Sequence, residues 1–342
     1  MKPWELPIKY PTNISNMQEK PIASISLDLD NQWSYMKIHG DKGWDAYPSY
    51  LDVFIPHILD ILDELGLKIT FFIVGRDASQ EVNRPFLRMI SERGHEVGNH
   101  SYHHESWLQF YSTDELKEEL QSAEASIQQA TGQKPKGFRG PGFSWSTELL
   151  KVLYEMDYEY DASTLPTYIG PLARMYYFWK SDLSKEEKKE RNELFGRFRD
   201  GFRKLKPHYH DLGQGKKLME IPVTTIPIIK IPFHLSYLLY LSGISMVLMK
   251  SYLWFAVMMC KATNTRPSFL LHPLDLIGGD KITQLDFFPG MQIDSARKAR
   301  VFKTIIHHLQ KHYRLVPMGA HHQWIKNRRQ TTEKYYATTT IK

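Results

Sequence analysis

Short apolar runs alternate with amphipathic helical segments along the first half of the chain, and this alternation limits its fold more than any other feature. IASISLDLD and KITFFIVG are brief, largely apolar runs typical of buried strands, and HEVGNH is predicted to be another short strand. The segment YLDVFIPHILDILDELG places apolar residues at helical spacing and ends at a glycine. A capping signal, Ser112 or Thr113 followed by Glu115, predicts the start of another helix. Strands joined by helices predict parallel βαβ units, here an α/β fold of the distorted (β/α)7 barrel type.

This alternation is interrupted after the strand EYDAST. Residues 167–217 are predicted to form a helical insertion with a charged core, LSKEEKKERNELFGRFRDGFRKLKP. Its apolar side chains recur at helical spacing: Leu194, Phe195, Phe198, Phe202 and Leu205. The strand LMEIPVTTIPI, a long apolar stretch over 233–260 and the strand FLLHPLD follow, and then a helix from about Asp294 to His312 and the strand RLVPM.

The predicted organisation is therefore one barrel domain with two flanking segments. Residues 1–21 read as an irregular leader with several prolines, residues 22–325 as the barrel with its insertion, and residues 326–342 as a polar, disordered tail. The hydrophobic fraction of 42% is ordinary for a chain with a substantial core.

The chain is basic and contains one cysteine. A formal charge of +6 and a pI near 9.0 favour an anionic partner. Cys260 alone excludes an internal disulfide framework. The N-terminal segment has no continuous apolar stretch, so we expect no signal peptide and a cytoplasmic location. Nucleic-acid binding has only the charge in its favour, because no recognisable reading motif accompanies it, and we expect none.

Polar side chains stand at the ends of several strand-like runs. Asp28 and Asp30 lie in SLDLDNQW, and His100 and His104 lie in GNHSYHHES. Two imidazoles and one carboxylate are a ligand set for a catalytic divalent metal that keeps an open position. The two histidines share one face if the backbone turns helically there. Asp30 would complete the set, and Asp28 projects to the same side because strand side chains alternate.

Two points of this assignment have alternatives. His103 is a competing ligand, although its spacing from His100 favours His104. Zn²⁺ suits the ligands best, but Co²⁺, Ni²⁺ or Fe²⁺ could occupy the same site. Arg139 in FRGPGFS and His272 in FLLHPLD follow later in the chain, and together these residues are the parts of a metal-assisted hydrolase.

This order of motifs resembles the polysaccharide deacetylase family, also called the NodB-homology or carbohydrate esterase family 4 group, over roughly residues 22–275. The resemblance implies a NodB-like barrel and a metal held by Asp30, His100 and His104. The family's first motif usually has adjacent aspartates, whereas this chain has Asp28-Leu29-Asp30, like branches that resemble lipid-linked amino-sugar deacylases.

The resemblance also implies the catalytic roles. A metal-bound water attacks the amide, Asp28 acts as the base, Arg139 orients that carboxylate, and His272 is the acid that protonates the leaving amine. Gly142 stands where many members have an aromatic residue, which leaves the oxyanion donor open. For Asp161 in EYDAST two roles stay open: pairing with Arg139 or polarising the site, and simple capping.

The implied reaction removes an N-acetyl or N-formyl group from an amino sugar. The substrate is expected to be a glycan or a lipid-linked glycan precursor, such as an undecaprenyl-phosphate-linked sugar used for exopolysaccharide or lipopolysaccharide. Residues 184–206 and 233–260 are candidates for peripheral contact with the inner face of the cell membrane. A full crossing by 233–260 is rejected, because it would separate two strands of one barrel.

Alternatives of other kinds remain. One is a soluble deacetylase of free or polymeric glycans, and another is a catalytically silent, sugar-binding barrel. Three tryptophans are candidates for lining a sugar groove: Trp33, Trp44 and Trp107.

Overall fold

The computed structural model describes residues 20–168 and 201–339, and for residues 329–339 only the backbone. The described chain forms one sheet of nine strands: β1 Ile22–Leu29, β2 Thr70–Ile73, β3 Glu96–Asn99, β4 Gly137–Phe138, β5 Tyr160–Asp161, β6 His208–Asp211, β7 Lys217–Glu220, β8 Ser268–Leu271 and β9 Arg314–Val316.

The sheet has the order β6-β7-β5-β4-β3-β2-β1-β8, and β9 pairs with the start of β1. All pairings are parallel except that of β6 with β7. Every residue of β1 is buried, as expected for a strand that is covered on both faces. In the described ranges no pairing joins β6 to β8, so the sheet is a curled half-barrel. The predicted α/β fold of the distorted barrel type is confirmed in this form.

Ten α-helices accompany the sheet in the described ranges: α1 Gln32–His39, α2 Leu51–Glu64, α3 Gly75–Ser79, α4 Arg84–Glu92, α5 Thr113–Thr131, α6 Thr147–Glu155, α7 Leu235–Ile244, α8 Met246–Ala262, α9 Ser295–His312 and α10 Met318–Thr339. The capping signal before α5 is a full capping box between Ser112 and Glu115, and α5 ends at Gly132 in a left-handed conformation. Asp294 caps α9, close to the predicted start of that helix.

The region of the predicted insertion contains a strand that the sequence analysis did not anticipate. Strand β6 lies within 167–217 and pairs antiparallel with β7, so this part of the insertion extends the sheet. The HYHD sequence of β6 has one apolar residue, which explains why hydrophobic periodicity did not reveal it. Most of the predicted charged core lies outside the described residues.

The apolar stretch over 233–260 is two helices, α7 and α8, separated at Ser245. The extended backbone of Ser245 ends α7, and its hydroxyl accepts hydrogen bonds from the amides of Val247 and Leu248 to cap α8. Within the described ranges, none of the helices combines the length and the apolar character that a membrane crossing requires.

The structure describes only parts of the two predicted flanking segments. Residues 1–19 of the predicted leader lie outside the described residues. The predicted polar tail begins inside α10, whose backbone is helical as far as Thr339.

Candidate active site

The polar side chains singled out in the sequence gather at one edge of the sheet. Asp30 directly follows β1, His100 follows β3, Arg139 follows β4 and His272 follows β8. Since these strands are parallel, their carboxyl ends lie along the same edge. Side chains more than 240 positions apart in the sequence therefore lie around one depression.

Asp30, His100 and His104 form a cluster suited to a metal ion. Their nearest ligand atoms all lie within 4.8 Å of one another. Oδ1 of Asp30 is 2.9 Å from Nε2 of His104 and 3.4 Å from Nε2 of His100. This oxygen is buried and lacks a hydrogen-bond donor of good geometry. A carboxylate oxygen and two imidazole nitrogens that converge without other partners fit a divalent cation such as Zn²⁺.

The orientation of the His100 ring supports this interpretation. Its Nδ1 lies 2.6 Å from the carbonyl oxygen of Arg139 and donates its proton to it, because a carbonyl can only accept. Nε2 then carries the free lone pair and faces Asp30. Such a backbone contact behind a histidine is the usual way in which proteins fix the tautomer of a metal ligand.

The backbone from His100 to His104 does not form the helical turn that the sequence analysis considered for this segment. Ser101 and His104 both have positive φ angles, 62° and 57°, and the hydroxyl of Ser101 accepts a hydrogen bond from the His104 amide. This tight loop turns His104 toward Asp30. His103 points elsewhere, since its Nδ1 lies 2.8 Å from Oε2 of Glu119. The structure thus brings His104, and not His103, to the cluster.

The charges of the cluster favour an ionised Asp30. Burial by itself would raise the pKa of this carboxyl group. The attraction of His104, and then that of His100, outweighs burial and holds the pKa of Asp30 well below the usual range. Asp30 is therefore a carboxylate at neutral pH, which is the form that binds metals.

Asp28 lies beside this cluster and is held by Arg139. Nη1 of Arg139 is 2.6 Å from Oδ1 of Asp28 and also donates to the hydroxyl of Ser26. Its Nε donates to the carbonyl oxygen of Ala162, and the guanidinium lies 4.4 Å from the ring centre of Phe72. Arg139 thus fixes the direction of the Asp28 carboxylate without being exposed itself.

His272 lines the same depression as Asp30 and interacts with Asp275. Nδ1 of His272 is 3.6 Å from Oδ2 of Asp275, and the same oxygen accepts the His272 backbone amide. Burial lowers the pKa of His272, but the hydrogen bond and charge of Asp275, together with the charges of Asp28 and Asp30, raise it to about 9. The imidazole is therefore protonated at neutral pH.

Asp161 makes a local contact, and the ion pair of Arg139 in the described chain is with Asp28. Oδ1 of Asp161 accepts a hydrogen bond of 2.5 Å from Ser163, whose Oγ also accepts the amide of Gly140. Burial, and then the charge of Glu220, raise the pKa of Asp161 well above its usual value. The structure places Asp161 in a buried pair of carboxyl groups, and a catalytic role for it stays a prediction.

Glu220 and Asp77 were missed by the sequence analysis. Glu220 ends β7 and accepts hydrogen bonds from the amide and hydroxyl of Thr164. Asp77 in α3 accepts hydrogen bonds from Asn31 and from the indole of Trp33, and burial raises its pKa to about 6. The signal for both was an acidic residue at or shortly after a strand end.

His234 was also missed and lies close to His272. The ring centres of His234 and His272 are 6.1 Å apart, and burial lowers the pKa of His234 to about 4. Its Nδ1 is buried with no hydrogen-bond partner among the described residues. It precedes α7 directly, inside a long apolar stretch, and its isolation there was the available signal.

The three tryptophans occupy different positions. Trp33 is buried, so it does not line a groove, and its ring stands edge-on to that of His104 at 6.3 Å. Trp44 and Trp107 are partly exposed and flank the ammonium group of Lys37, at 5.0 and 5.8 Å from their ring centres. Those two remain candidates for the rim of a sugar site.

Known proteins that are similar to this chain include several deacetylases. Residues 41–160 match the family described as polysaccharide deacetylase. A peptidoglycan deacetylase of Helicobacter pylori is 32% identical over 181 residues, which are 50% of this chain and 60% of that protein. A peptidoglycan-N-acetylglucosamine deacetylase of Bacillus cereus is 32% identical over 28% of this chain and 36% of its own length.

The sequence similarities cover only part of the relatives, whereas the structural similarity covers almost the whole chain. The aligned parts span less than two thirds of the curated relatives' lengths. A solved structure of a candidate polysaccharide deacetylase from Mycobacterium smegmatis superimposes over 94% of this chain and 96% of that one, with a TM-score of 0.55 at 16% identity. It shares the fold. Over residues 41–160 the chain is thus similar to the polysaccharide deacetylase family, and the relatives that it resembles over part of its length include named deacetylases.

Proposed function

We propose that this protein is a metal-dependent hydrolase that removes an N-acetyl or N-formyl group from an amino sugar of a glycan or lipid-linked glycan precursor. The observation that carries the proposal is the convergence of Asp30, His100 and His104 on one point. Asp28 with its arginine and His272 with its carboxylate stand around the same point. The family match over residues 41–160 and the named deacetylase relatives support the reaction class.

Asp30, His100 and His104 would hold a divalent metal, for which Zn²⁺ is the first candidate. Such an ion supplies Lewis-acid polarisation of the amide carbonyl and lowers the pKa of water. The residues of the chain provide the proton transfer and the positioning of the groups. The Asp28 carboxylate accepts a proton from the attacking water, and the hydrogen bond from Arg139 holds that carboxylate in position.

His272 is the proton donor for the leaving amine. Its imidazole carries a proton at neutral pH because Asp275 stabilises the charged form. It lines the depression next to Asp30, so a sugar amide that reaches the cluster also meets His272. A base on one side and an acid on the other are what amide hydrolysis requires.

The precise substrate is part of the proposal. The relatives' names include peptidoglycan and chitooligosaccharide deacetylases, which favour N-acetyl groups on amino sugars. A lipid-linked precursor for exopolysaccharide or lipopolysaccharide, handled in the cytoplasm at the inner face of the membrane, is the substrate that we favour. A soluble deacetylase of polymeric glycans is the second candidate, and the intact set of polar residues disfavours a silent barrel.

The test is the release of acetate and formate from a panel of N-acylated amino sugars, with metal content measured on each protein. Wild type, Asp28→Asn and Asp30→Asn are compared, with Asp52→Asn, an exposed carboxylate on α2, as the control. We expect Asp28→Asn to lose activity and keep metal, Asp30→Asn to lose both, and Asp52→Asn to lose neither. Loss of metal from Asp28→Asn would reverse the roles of the two aspartates. Metal-loaded wild type that releases no acid from any substrate would contradict the proposal.

A further inference from the structure

A cleft of about 880 Å³ includes part of the candidate active site and a set of apolar side chains. Asp30, His272 and Asp275 are among its lining residues. Leu239 and Ile244 of α7 also line it, and the segment 288–293 contributes Phe288 and Ile293.

The aliphatic part of this lining offers little to a sugar chain. Leu239, Ile244 and Ile293 are aliphatic and offer no hydrogen bonds to hydroxyl groups, which cost free energy when they are buried without partners. A hydrocarbon chain gains by leaving water for the same surface. Gly243 also lines the cleft, and no atom lies within 4 Å of where its Cβ would be, so the space beside this residue is open.

The cleft opens beside an exposed apolar surface at the junction of α7 and α8. Seven of the fourteen large hydrophobic side chains exposed in the described chain come from the segment 240–255: Tyr240, Ile244, Met246, Val247, Leu248, Trp254 and Phe255. We call this surface the α7–α8 corner. Ile244 belongs both to the corner and to the cleft wall, so the two surfaces are continuous.

The charges carried by the two helices have one sign. The helices α7 and α8 contain no aspartate or glutamate, and their charged residues are Lys250 and Lys261. A second depression, of about 760 Å³, joins Lys250 and Lys311 with the rings of Trp254 and Phe255. Lysines next to exposed tryptophan and aliphatic side chains match the surface of an anionic bilayer.

We propose that the α7–α8 corner lies on an anionic membrane surface, and that the cleft receives the hydrocarbon chain of a membrane-anchored amino-sugar substrate whose sugar then reaches Asp30 and His272. The inference rests on the proposed function and narrows its substrate to an amphiphile. A surface-lying helix pair with an apolar face is sufficient for such contact.

The membrane contact is tested by flotation with vesicles of phosphatidylcholine, with and without phosphatidylglycerol. Val247→Asp is the variant, and Val82→Asp is its matched control, because the two valines are 74% and 71% exposed. We expect wild type and Val82→Asp to float with the anionic vesicles and Val247→Asp to remain at the bottom. Equal flotation of all three proteins would overturn the membrane contact. So would a change from dimer to monomer in Val247→Asp with unchanged flotation, because a second copy would then cover the corner.

The cleft is tested by binding to metal-free protein, which separates it from catalysis. The probes are the methyl and the dodecyl glycosides of N-acetylglucosamine, below the micelle concentration. In wild type, we expect the Kd of the dodecyl glycoside to be about tenfold or more below that of the methyl glycoside. We expect Ile244→Asp to abolish this difference and to leave the Kd of the methyl glycoside unchanged. The same Kd for both glycosides in wild type would overturn the inference.

The activity of the metal-loaded protein distinguishes a failure of the proposed function from a failure of the proposed hydrocarbon-binding cleft. If wild type hydrolyses neither glycoside nor any other N-acylated sugar, the proposed function fails. If it hydrolyses the methyl glycoside as efficiently as the dodecyl glycoside, and Ile244→Asp changes neither rate, only the present inference fails.

Discussion

The guanidinium of Arg139 donates to the carboxylate of Asp28 across 2.6 Å, in a place that solvent scarcely reaches. Arg139 is bound at the same time by the carbonyl of Ala162 and the hydroxyl of Ser26. These contacts come from β1 and from the segment that follows β5, so the position of the arginine depends on several strands. The proposed base is therefore aimed by the sheet itself.

Removing Arg139 should lower the stability of the fold as well as the activity. Arg139→Met leaves the Asp28 carboxylate buried without its partner, and we expect a loss of about 3–5 kcal/mol in the free energy of unfolding. Arg93→Met is the control, because Arg93 pairs with Asp60 and Asp63 at the surface, where we expect less than about 1 kcal/mol. Urea denaturation of both variants measures the difference.

A double-mutant cycle separates the ion pair from the packing of the arginine. In the Asp28→Asn background, Arg139→Met should cost clearly less than it does in wild type, because no buried carboxylate remains to be left unpaired. Equal losses in the two backgrounds would show that Arg139 stabilises the fold through its other contacts alone.

The neighbouring histidines His103 and His104 should differ in metal binding. His104→Ala removes a nitrogen that lies 2.9 Å from Asp30, and we expect metal content and the thermal stabilisation by added Zn²⁺ to fall sharply. His103→Ala removes a ring that faces Glu119, so its metal content should stay at the wild-type level. Metal loss in His103→Ala alone would mean that the loop rearranges on binding.

The parts of the site that the sequence predicted are those that directly follow strands. Asp30, His100, Arg139 and His272 each directly follow a strand, and the parallel sheet brings them together at one edge. Periodicity reveals strand ends, so this much was available from local patterns.

The residues that were missed depend on contacts between distant parts of the chain. Glu220 matters because Thr164, 56 positions away, binds it, and Asp77 because Asn31 and Trp33 donate to it. No local pattern predicts such pairs. The left-handed loop that turns His104 inward was likewise hidden, since Ser101 is not a residue that usually marks positive φ.

The protonation of His272 should set the alkaline limit of activity. Asp275 helps to raise the pKa of His272 from 6.5 to about 9, so the acid form persists through neutral pH and activity should fall as pH rises toward and above about 9. In Asp275→Asn the charge that opposes burial is lost, and we expect the alkaline limb to move to lower pH by about 1 unit or more. Asp286→Asn, at an exposed position, is the control.

His272 also contributes to the stability of the fold, and this contribution decreases as pH rises. Because the folded-state pKa of His272 is raised, its contribution is fully present below pH 6.5 and is lost as pH rises to about 9. Asp275→Asn should therefore lose more stability at pH 6 than at pH 9.5. An alkaline limb that is unchanged in Asp275→Asn would assign the limb to another group.

The buried pair Asp161 and Glu220 should make the protein less stable as pH rises. Burial and mutual repulsion raise the pKa of Asp161, so above about pH 4 the folded state holds a proton that the unfolded chain releases. Each pH unit in that range then costs up to about 1.4 kcal/mol. Asp161→Asn removes the titrating group, and we expect its stability relative to wild type to increase from pH 5 to pH 8 in urea denaturation.

Asp157→Asn, an exposed carboxylate four residues earlier, should follow the wild-type profile. If Asp161→Asn does so too while Glu220→Gln does not, the proton resides on Glu220, whose pKa is also raised by burial. If both variants follow the wild-type profile, the two carboxyl groups do not share a proton. Asp161 would then hold Ser163, and through it the amide of Gly140, as an ordinary carboxylate.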